Sequence, residues 1–352
     1  MPDWTKPMSQ SFEYYTVDPN TWKDVSPIRT VKSASINRDG ESETLGYATF
    51  DVNELVGECY IRTYLVTIQN GLTEKHPLGT FLVQTPSSSF NGKVRTSSMD
   101  AYTPLLELKE NPPPIGYSIL KDENVMNRAY QIIRENARAP VVPAQSDKTL
   151  LNDFVSNTDD TWTTFVRDLV NYAEFELGLD ELGRIIFLPK QDLASLQPVW
   201  TFTDDNSSIL YANITMNHDL YGIPNVVEVV YSSGNDTYTA TVTNDDPNSP
   251  ISTVNRGRVI KYRDTNPSFA GMATQAMVDE YAKKLLKALS TVEYSVSFTH
   301  GYCPVRLGDC IRLNYTRARL VNVKAKVINQ TIKCDLGCQV STKAVYTTNL
   351  WG

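Results

Sequence analysis

The sequence predicts a mainly β fold in which two β-modules flank a small α/β insertion. Three observations predict it. Short runs rich in Val, Ile, Thr and Tyr recur through the first hundred residues, separated by turn signals. Helical periodicity is concentrated in the middle of the chain. Beyond residue 200 the β-rich runs return, interrupted by one long helical pattern. The boundaries read as 1–103 for the first module, 104–200 for the insertion and 201–352 for the second module with its helix.

In the first module, residues 25–37 read as a strand in which Ile28, Val31 and Ile36 punctuate small or polar residues. Arg38-Asp39-Gly40-Glu41 is the turn after it. Strands follow at 45–52 and 59–68. Asn70-Gly71 then closes a hairpin, because both central positions of such a turn take positive φ. Residues 75–85 return and 93–101 form the next strand. This spacing suits a barrel or sandwich better than βαβ units.

Asn111-Pro112-Pro113-Pro114 is a stiff, helix-excluding connection into the insertion. Residues 123–136 read as a helix with Met126, Ala129, Tyr130 and Ile133 on one face, Asp122 as its cap, and Pro140 and Pro143 as stops. A second helix reads at 161–176, with Trp162, Phe165, Val166, Leu169, Val170 and Ala173 as its stripe. Asp160 is its expected cap and Gly178 its exit. Residues 179–189 read as a turn into a strand. In the last module, 225–232 and 236–243 form a hairpin around Ser233-Gly234-Asn235. The long helix is read at 272–289, with Ala276, Met277, Tyr281, Leu285 and Leu289 on a common face. Strands at 292–299, 310–315, 320–334 and 339–347 follow.

Composition narrows the function classes. The 352 residues are 41% hydrophobic and 21% charged, with 19 Tyr and 11 Phe, which is globular rather than disordered. A net charge of −7 argues against a dedicated nucleic-acid binder, whose affinity would come from neutralising phosphates. No run approaches the roughly 18 apolar residues of a membrane-spanning helix. The first residues lack the basic-then-apolar pattern of a secretory signal, and five cysteines do not pair into a disulfide framework. A reducing cytoplasm is the expected site of synthesis. The Asn-x-Ser/Thr sequons at Asn206, Asn213, Asn235, Asn314 and Asn329 then read as chance products of an Asn- and Thr-rich chain.

Catalytic motifs are missing: no G-x-S-x-G elbow, phosphate loop, G-x-G-x-x-G or H-E-x-x-H occurs. His76, His218 and His300 lie far apart and read as structural or solvated. Cys303, Cys310, Cys334 and Cys338 are the best metal candidates. Spacings of seven and four do not match the tight pairs of zinc sites, so burial as small apolar side chains is favoured. Asp159-Asp160, Asp204-Asp205 and Asp245-Asp246 lack the calcium-loop pattern and read as loop caps and solvated turns. No catalytic, cofactor-binding or metal-binding residue is therefore assigned, and no cofactor is expected.

Four stretches resemble the hub proteins of phage tails and baseplates, a family shared with the core of type VI secretion spikes. The first runs from Ile28 through the turn at Arg38-Asp39-Gly40. The second is Pro77-Leu78-Gly79-Thr80-Phe81-Leu82-Val83-Gln84-Thr85-Pro86. The third is Glu181-Leu182-Gly183-Arg184-Ile185-Ile186-Phe187-Leu188-Pro189. The fourth lies within 296–313 and includes His300-Gly301-Tyr302-Cys303-Pro304-Val305-Arg306-Leu307-Gly308-Asp309. The resemblance implies two tube-like β-barrels per subunit and a homotrimer whose pseudo-sixfold ring adapts a hexameric tail tube to a trimeric spike or fibre. It implies a virion protein without enzymatic activity. Expected partners are further copies of itself, the tail tube or distal tail protein, a spike or fibre protein and the tape-measure protein, with DNA only in transit past an acidic lumen. No peptidase, lysozyme or needle pattern follows Tyr346, so a cell-wall enzyme or spike would be a separate chain. The alternative is a carbohydrate-binding β-module or accessory protein, with the five Trp and 19 Tyr as sugar-stacking faces.

Overall fold

The computed structural model describes residues 2–351 apart from 55, 94, 234, 235, 266 and 270–272. The expected turn at Gly234-Asn235, the Asn235 sequon and a helix start at Met272 lie outside the described residues. The chain divides into two compact units, Met1–Ile214 with Ser297–Ala344, and Thr215–Val296 with Val345–Gly352. Its architecture is mainly β with a small helical part, as the sequence predicts.

The larger unit begins with β1 (Ser9–Val17), β2 (Asp24–Pro27), β3 (Val31–Asp39), β4 (Gly46–Val52), β5 (Tyr60–Gln69), β6 (Leu72–Phe90) and β7 (Arg95–Tyr102). They pair in the order β3-β4-β7-β6-β5-β1-β2. Alternation sets the core: Ala48, Phe50 and Val52 of β4 point inward with Ile36 of β3 and Met99 and Ala101 of β7. The β5–β6 turn is as expected, with Asn70 at φ 52 and Gly71 at φ 80 between the pair Gln69 and Leu72. The run expected as one strand at 25–37 is two, because β2 ends at Pro27, which has no N–H to donate to a ladder. The strand β1 escaped the reading.

The middle block contains α1 (Leu106–Glu110), β8 (Ser118–Ile119), α2 (Val125–Asn136), β9 (Phe154–Val155), α3 (Trp162–Tyr172), β10 (Phe175–Leu179) and β11 (Ile185–Pro189). Its core joins Met126, Ala129 and Ile133 of α2 to Phe165, Val166 and Leu169 of α3, and takes in Tyr60 and Leu82. This block covers Tyr60 at the start of β5 and binds Arg62 through the Leu182 carbonyl, so that end of β5 is buried on both faces. Two caps differ from expectation. Asn124, not Asp122, caps α2 by accepting from the Asn127 N–H, and Asp122 stands before it at φ 69. Thr161, not Asp160, caps α3 through a reciprocal box with Thr164. Helix α3 also stops early: Glu174 turns at φ 62 and Gly178 pairs with Ile186 as a strand residue.

After β12 (Trp200–Thr203) and β13 (Leu210–His218) the chain builds the smaller unit. It comprises β14 (Val226–Ser233), β15 (Asp236–Thr243), α4 (Thr253–Arg256), β16 (Lys261–Asp264) and α5 (Gln275–Leu289). Strand β14 pairs antiparallel with β15 and parallel with β16. Helix α5 buries Val278, Ala282 and Leu286 against Val227, Val229 and Ala240. Its core stripe is thus offset from the expected face. Met277 is 43% exposed, while Tyr281, Leu285 and Leu289 flank the contact.

The chain closes with β17 (Thr291–Gly301), β18 (Cys310–Tyr315), β19 (Leu320–Cys334) and β20 (Gln339–Asn349), matching the predicted strands closely. The division between units falls within β13, β17 and β20. In the larger unit, β18 pairs with β12 and β19, and residues 329–334 of β19 pair with β3. That pairing runs from Asn329 opposite Asp39 to Cys334 opposite Ala34, so the early and late strands share one sheet.

Candidate functional site

The four family-like stretches are far apart in sequence from one another, and the fold brings all four to a single cleft of about 610 Å³ in the larger unit. Arg38 and Gly40 come from the first stretch, Leu78 and Phe81 from the second, Ile186 from the third, and Leu307 from the fourth.

Beside the cleft the β10–β11 turn is locked onto the first β-region. The Leu182 carbonyl accepts from Trp22 Nε1 at 2.8 Å, Arg62 Nη2 at 3.1 Å and Thr80 Oγ1 at 2.8 Å. Arg62, only 4% exposed, also donates from Nε to Thr80 Oγ1 at 2.9 Å, from Nη1 to Asp24 Oδ1 at 2.8 Å and from Nη2 to the Trp22 carbonyl at 3.2 Å. A guanidinium this deep must have its donors and charge answered, and here they are. Next to Leu182, Gly183 sits at φ 74, and a Cβ there would stand 2.6 Å from Thr80 Cβ. The close approach and the left-handed backbone both require glycine.

The fourth stretch is tied in by charge and turn geometry. Arg306 pairs with Glu181 of the third stretch. Asp309 Oδ2 accepts from the Arg306 N–H at 2.8 Å, and the Gly308 N–H reaches the Val327 carbonyl at 2.9 Å. Burial holds the Asp309 carboxyl above its ordinary range. Arg38 Nη2 donates to the Leu78 carbonyl at 2.8 Å, joining the first stretch to the second. Lys326 pairs with Glu176 at 3.3 Å, and Arg184 with Asp180 at 2.6 Å. Charges around the cleft are largely matched, and its walls are mainly aliphatic. Among the described residues no histidine lines it. The arrangement fastens strands and turns together.

Of the residues weighed from sequence, Cys310 lines the cleft and the others fall elsewhere. His300 is fully buried in the second β-region. Its Nδ1–H donates to the Gly301 carbonyl at 2.6 Å, which fixes Nε2 as the acceptor for the Thr342 hydroxyl at 2.9 Å. Burial lowers its pKa to about 4. His76 stands edge-on to Trp4 at 5.0 Å, and burial lowers its pKa. In the smaller unit, His218 stacks on Tyr294 at 4.6 Å. Cys303, Cys310, Cys334 and Cys338 are buried free thiols, with Cys338 pushed up to about 12 by burial. Cys303 Sγ lies 3.8 Å from His300 Nδ1. Among the described residues no group of three or more His, Cys, Asp or Glu side chains comes together to hold a metal ion. Asp160 accepts from the Asn157 N–H, Asp204 from Thr316, Asp205 from Ser207 and Asp246 from Asn248, each shaping a loop.

The Arg62 lock was missed. Its signal was an arginine in the apolar run Tyr60-Ile61-Arg62-Thr63-Tyr64-Leu65-Val66, where a charge has to be paired.

No family model matches the sequence, and no curated protein does. Solved structures do match. The fold is that of phage tail proteins. A tail protein from Neisseria meningitidis MC58 aligns over 97% of this chain and 98% of its own, at TM-score 0.59 and 12% identity. The 43 kDa tail protein of prophage MuSo2 from Shewanella oneidensis aligns over 96% and 98%, at TM-score 0.60 and 11% identity. A chain of the Francisella PdpA–VgrG complex aligns over 97% of this chain and 53% of its own, at TM-score 0.52 and 9% identity. The resemblance carried by the four stretches thus agrees with the fold. No helix of the described residues is long and apolar enough to cross a membrane.

Proposed function

We propose that the protein is the structural hub of a phage tail tip or baseplate and has no enzymatic activity. Three copies form a ring whose two tube-like β-modules per chain, 1–103 and 201–352 around the insertion at 104–200, present pseudo-sixfold symmetry. The ring adapts the hexameric tail tube or distal tail protein to a trimeric spike or fibre and forms part of the channel. The protein is made in the host cytoplasm and resides in the virion, with the tape-measure protein and DNA as transient occupants of the bore.

The observation that carries this reading is the likeness to tail proteins over nearly the whole of both chains, which takes in both β-regions and the block between them. Three of the five tryptophans favour it over a sugar-binding module. Trp4, Trp22 and Trp162 are buried and hold core contacts, so they offer no stacking platform. Light scattering on the protein together with its tube and spike partners is expected to give three copies. A stable dimer or tetramer in that complex would overturn the reading.

A further inference from the structure

Strands β6 and β7 continue past the rest of their sheet as a two-stranded ribbon. The β5 partner of β6 ends opposite Leu82, and the β4 partner of β7 ends opposite Ser97. Beyond those points the pairs Ser89–Thr96 and Phe90–Arg95 have no third strand beside them. The ribbon therefore carries free backbone edges, which are templates for further pairing.

Its side chains are unusual for this molecule. Residues 86–98 contain Lys93 and Arg95 and no acid, on a chain of net charge −7. Lys93 and Arg95 are exposed, and among the described residues neither has an ion-pair partner. Phe90 is 66% exposed at the tip. Serines 87, 88 and 89 keep the approach to it small and polar. An unburied phenylalanine paired opposite Arg95 and three residues before Lys93, on a ribbon with no third strand beside it, has the composition of a contact patch, where one aromatic anchor is rimmed by charge.

We propose that this ribbon is the arm by which one copy of the chain grips a second copy. Charge decides the occupant: the ribbon is locally basic and the remainder of the chain is acidic, so the surface it best complements is that of another copy. A contact of ribbon to a different patch is heterologous, the type that closes into a ring rather than a twofold dimer. The inference rests on the hub reading and names the element that holds its ring together.

The test compares the full-length protein with Lys93→Glu/Arg95→Glu, with Phe90→Ser, and with Lys283→Glu/Lys284→Glu as a charge-matched control on the exposed side of α5. Sedimentation velocity is run with the tube and spike partners present, at about 0.1 M and about 1 M salt, where the screening length falls from about 10 Å to about 3 Å. The exposed positions leave the circular dichroism unchanged. The ribbon charge reversal and Phe90→Ser are expected to weaken self-association at least about tenfold, high salt to weaken the unaltered protein similarly, and the control to leave it intact. Equal assembly of the ribbon variants and the unaltered protein would overturn the arm and leave the hub standing. Loss of a partner protein from the complex while the ring persists would do the same. Failure of the unaltered protein to self-associate with its partners would remove the hub reading itself, and the arm with it.

Discussion

The first and last β-regions each bury one strongly polar side chain, and they handle it in opposite ways. In the first, Arg62 places its donors on other elements: Asp24, the Trp22 carbonyl and, from the middle block, the Leu182 carbonyl. In the last, His300 is neutral and its partners are the adjacent Gly301 carbonyl and Thr342 of β20. The first arrangement fastens one part of the unit to another. The second stabilises a single β-region from inside. A buried charge is a costly fastener that fails badly when half of it is removed, whereas a satisfied neutral imidazole is sensitive mainly to protonation.

The largest effect is expected at Arg62. Arg62→Met keeps most of the apolar volume but removes the donors to Thr80, Asp24 and the Trp22 and Leu182 carbonyls, while Asp24 keeps the Tyr64 hydroxyl. Denaturant unfolding is expected to lose about 3–5 kcal/mol, because several hydrogen bonds from one charged group go together. Amide exchange of residues 180–184 should rise more than that of the β3–β4 pair, because the turn loses its anchor. A loss below about 1 kcal/mol, or a uniform rise in exchange, would break the contrast between fastener and filler.

The second prediction concerns pH. The pKa of His300 is depressed from 6.5 to about 4 by burial. Between those values the unfolded chain takes up a proton that the folded chain refuses, so stability is full above about 6.5 and falls as pH drops toward about 4. The interval corresponds to about 3 kcal/mol. Carboxylates titrate in part of the same range, so the measurement is the difference between the unaltered protein and His300→Gln. The variant is expected to be less stable at neutral pH and to show a flatter decline on acidification. Parallel curves would mean that His300 does not carry this acid sensitivity.

Much of this was legible in the sequence, and the illegible parts have common causes. Strands β18, β19 and β20 read nearly to the residue because their alternation and flanking turns are unambiguous. The Asn70-Gly71 turn read correctly because its backbone demands those residues. The caps went wrong at Asp122 and Asp160 because several Asx and Thr candidates stand side by side, and only the backbone decides which side chain faces the orphan N–H groups. Helix α5 was read one face off because Ala276 and Met277 are apolar yet do not meet β14 and β15. The cleft was half visible: its four stretches could be picked out singly, but their convergence depends on the β19–β3 pairing, which joins residues almost 300 positions apart. Arg62 was readable as an anomaly, but its partners come from three other segments and no local pattern names them.

The smallest effect isolates one bond of the neutral arrangement. Because the Gly301 carbonyl accepts only, the His300 proton sits on Nδ1, and Nε2 must be answered by the Thr342 hydroxyl. Gln330 Nε2 reaches the same hydroxyl at 3.5 Å, so one oxygen links three buried polar groups. Thr342→Val keeps the shape and removes the donor, leaving Nε2 unsatisfied in a site closed by Phe202 and Phe298. The expected loss is about 1–2 kcal/mol by thermal or denaturant unfolding, the cost of leaving one buried neutral acceptor unanswered. Thr342→Ser restores the hydroxyl and is expected to recover most of the bond, though it gives up a buried methyl. If Val and Ser variants lost the same amount, packing rather than the hydroxyl would account for Thr342. The last β-region would then be held by its apolar contacts alone, and the parallel with Arg62 would lapse.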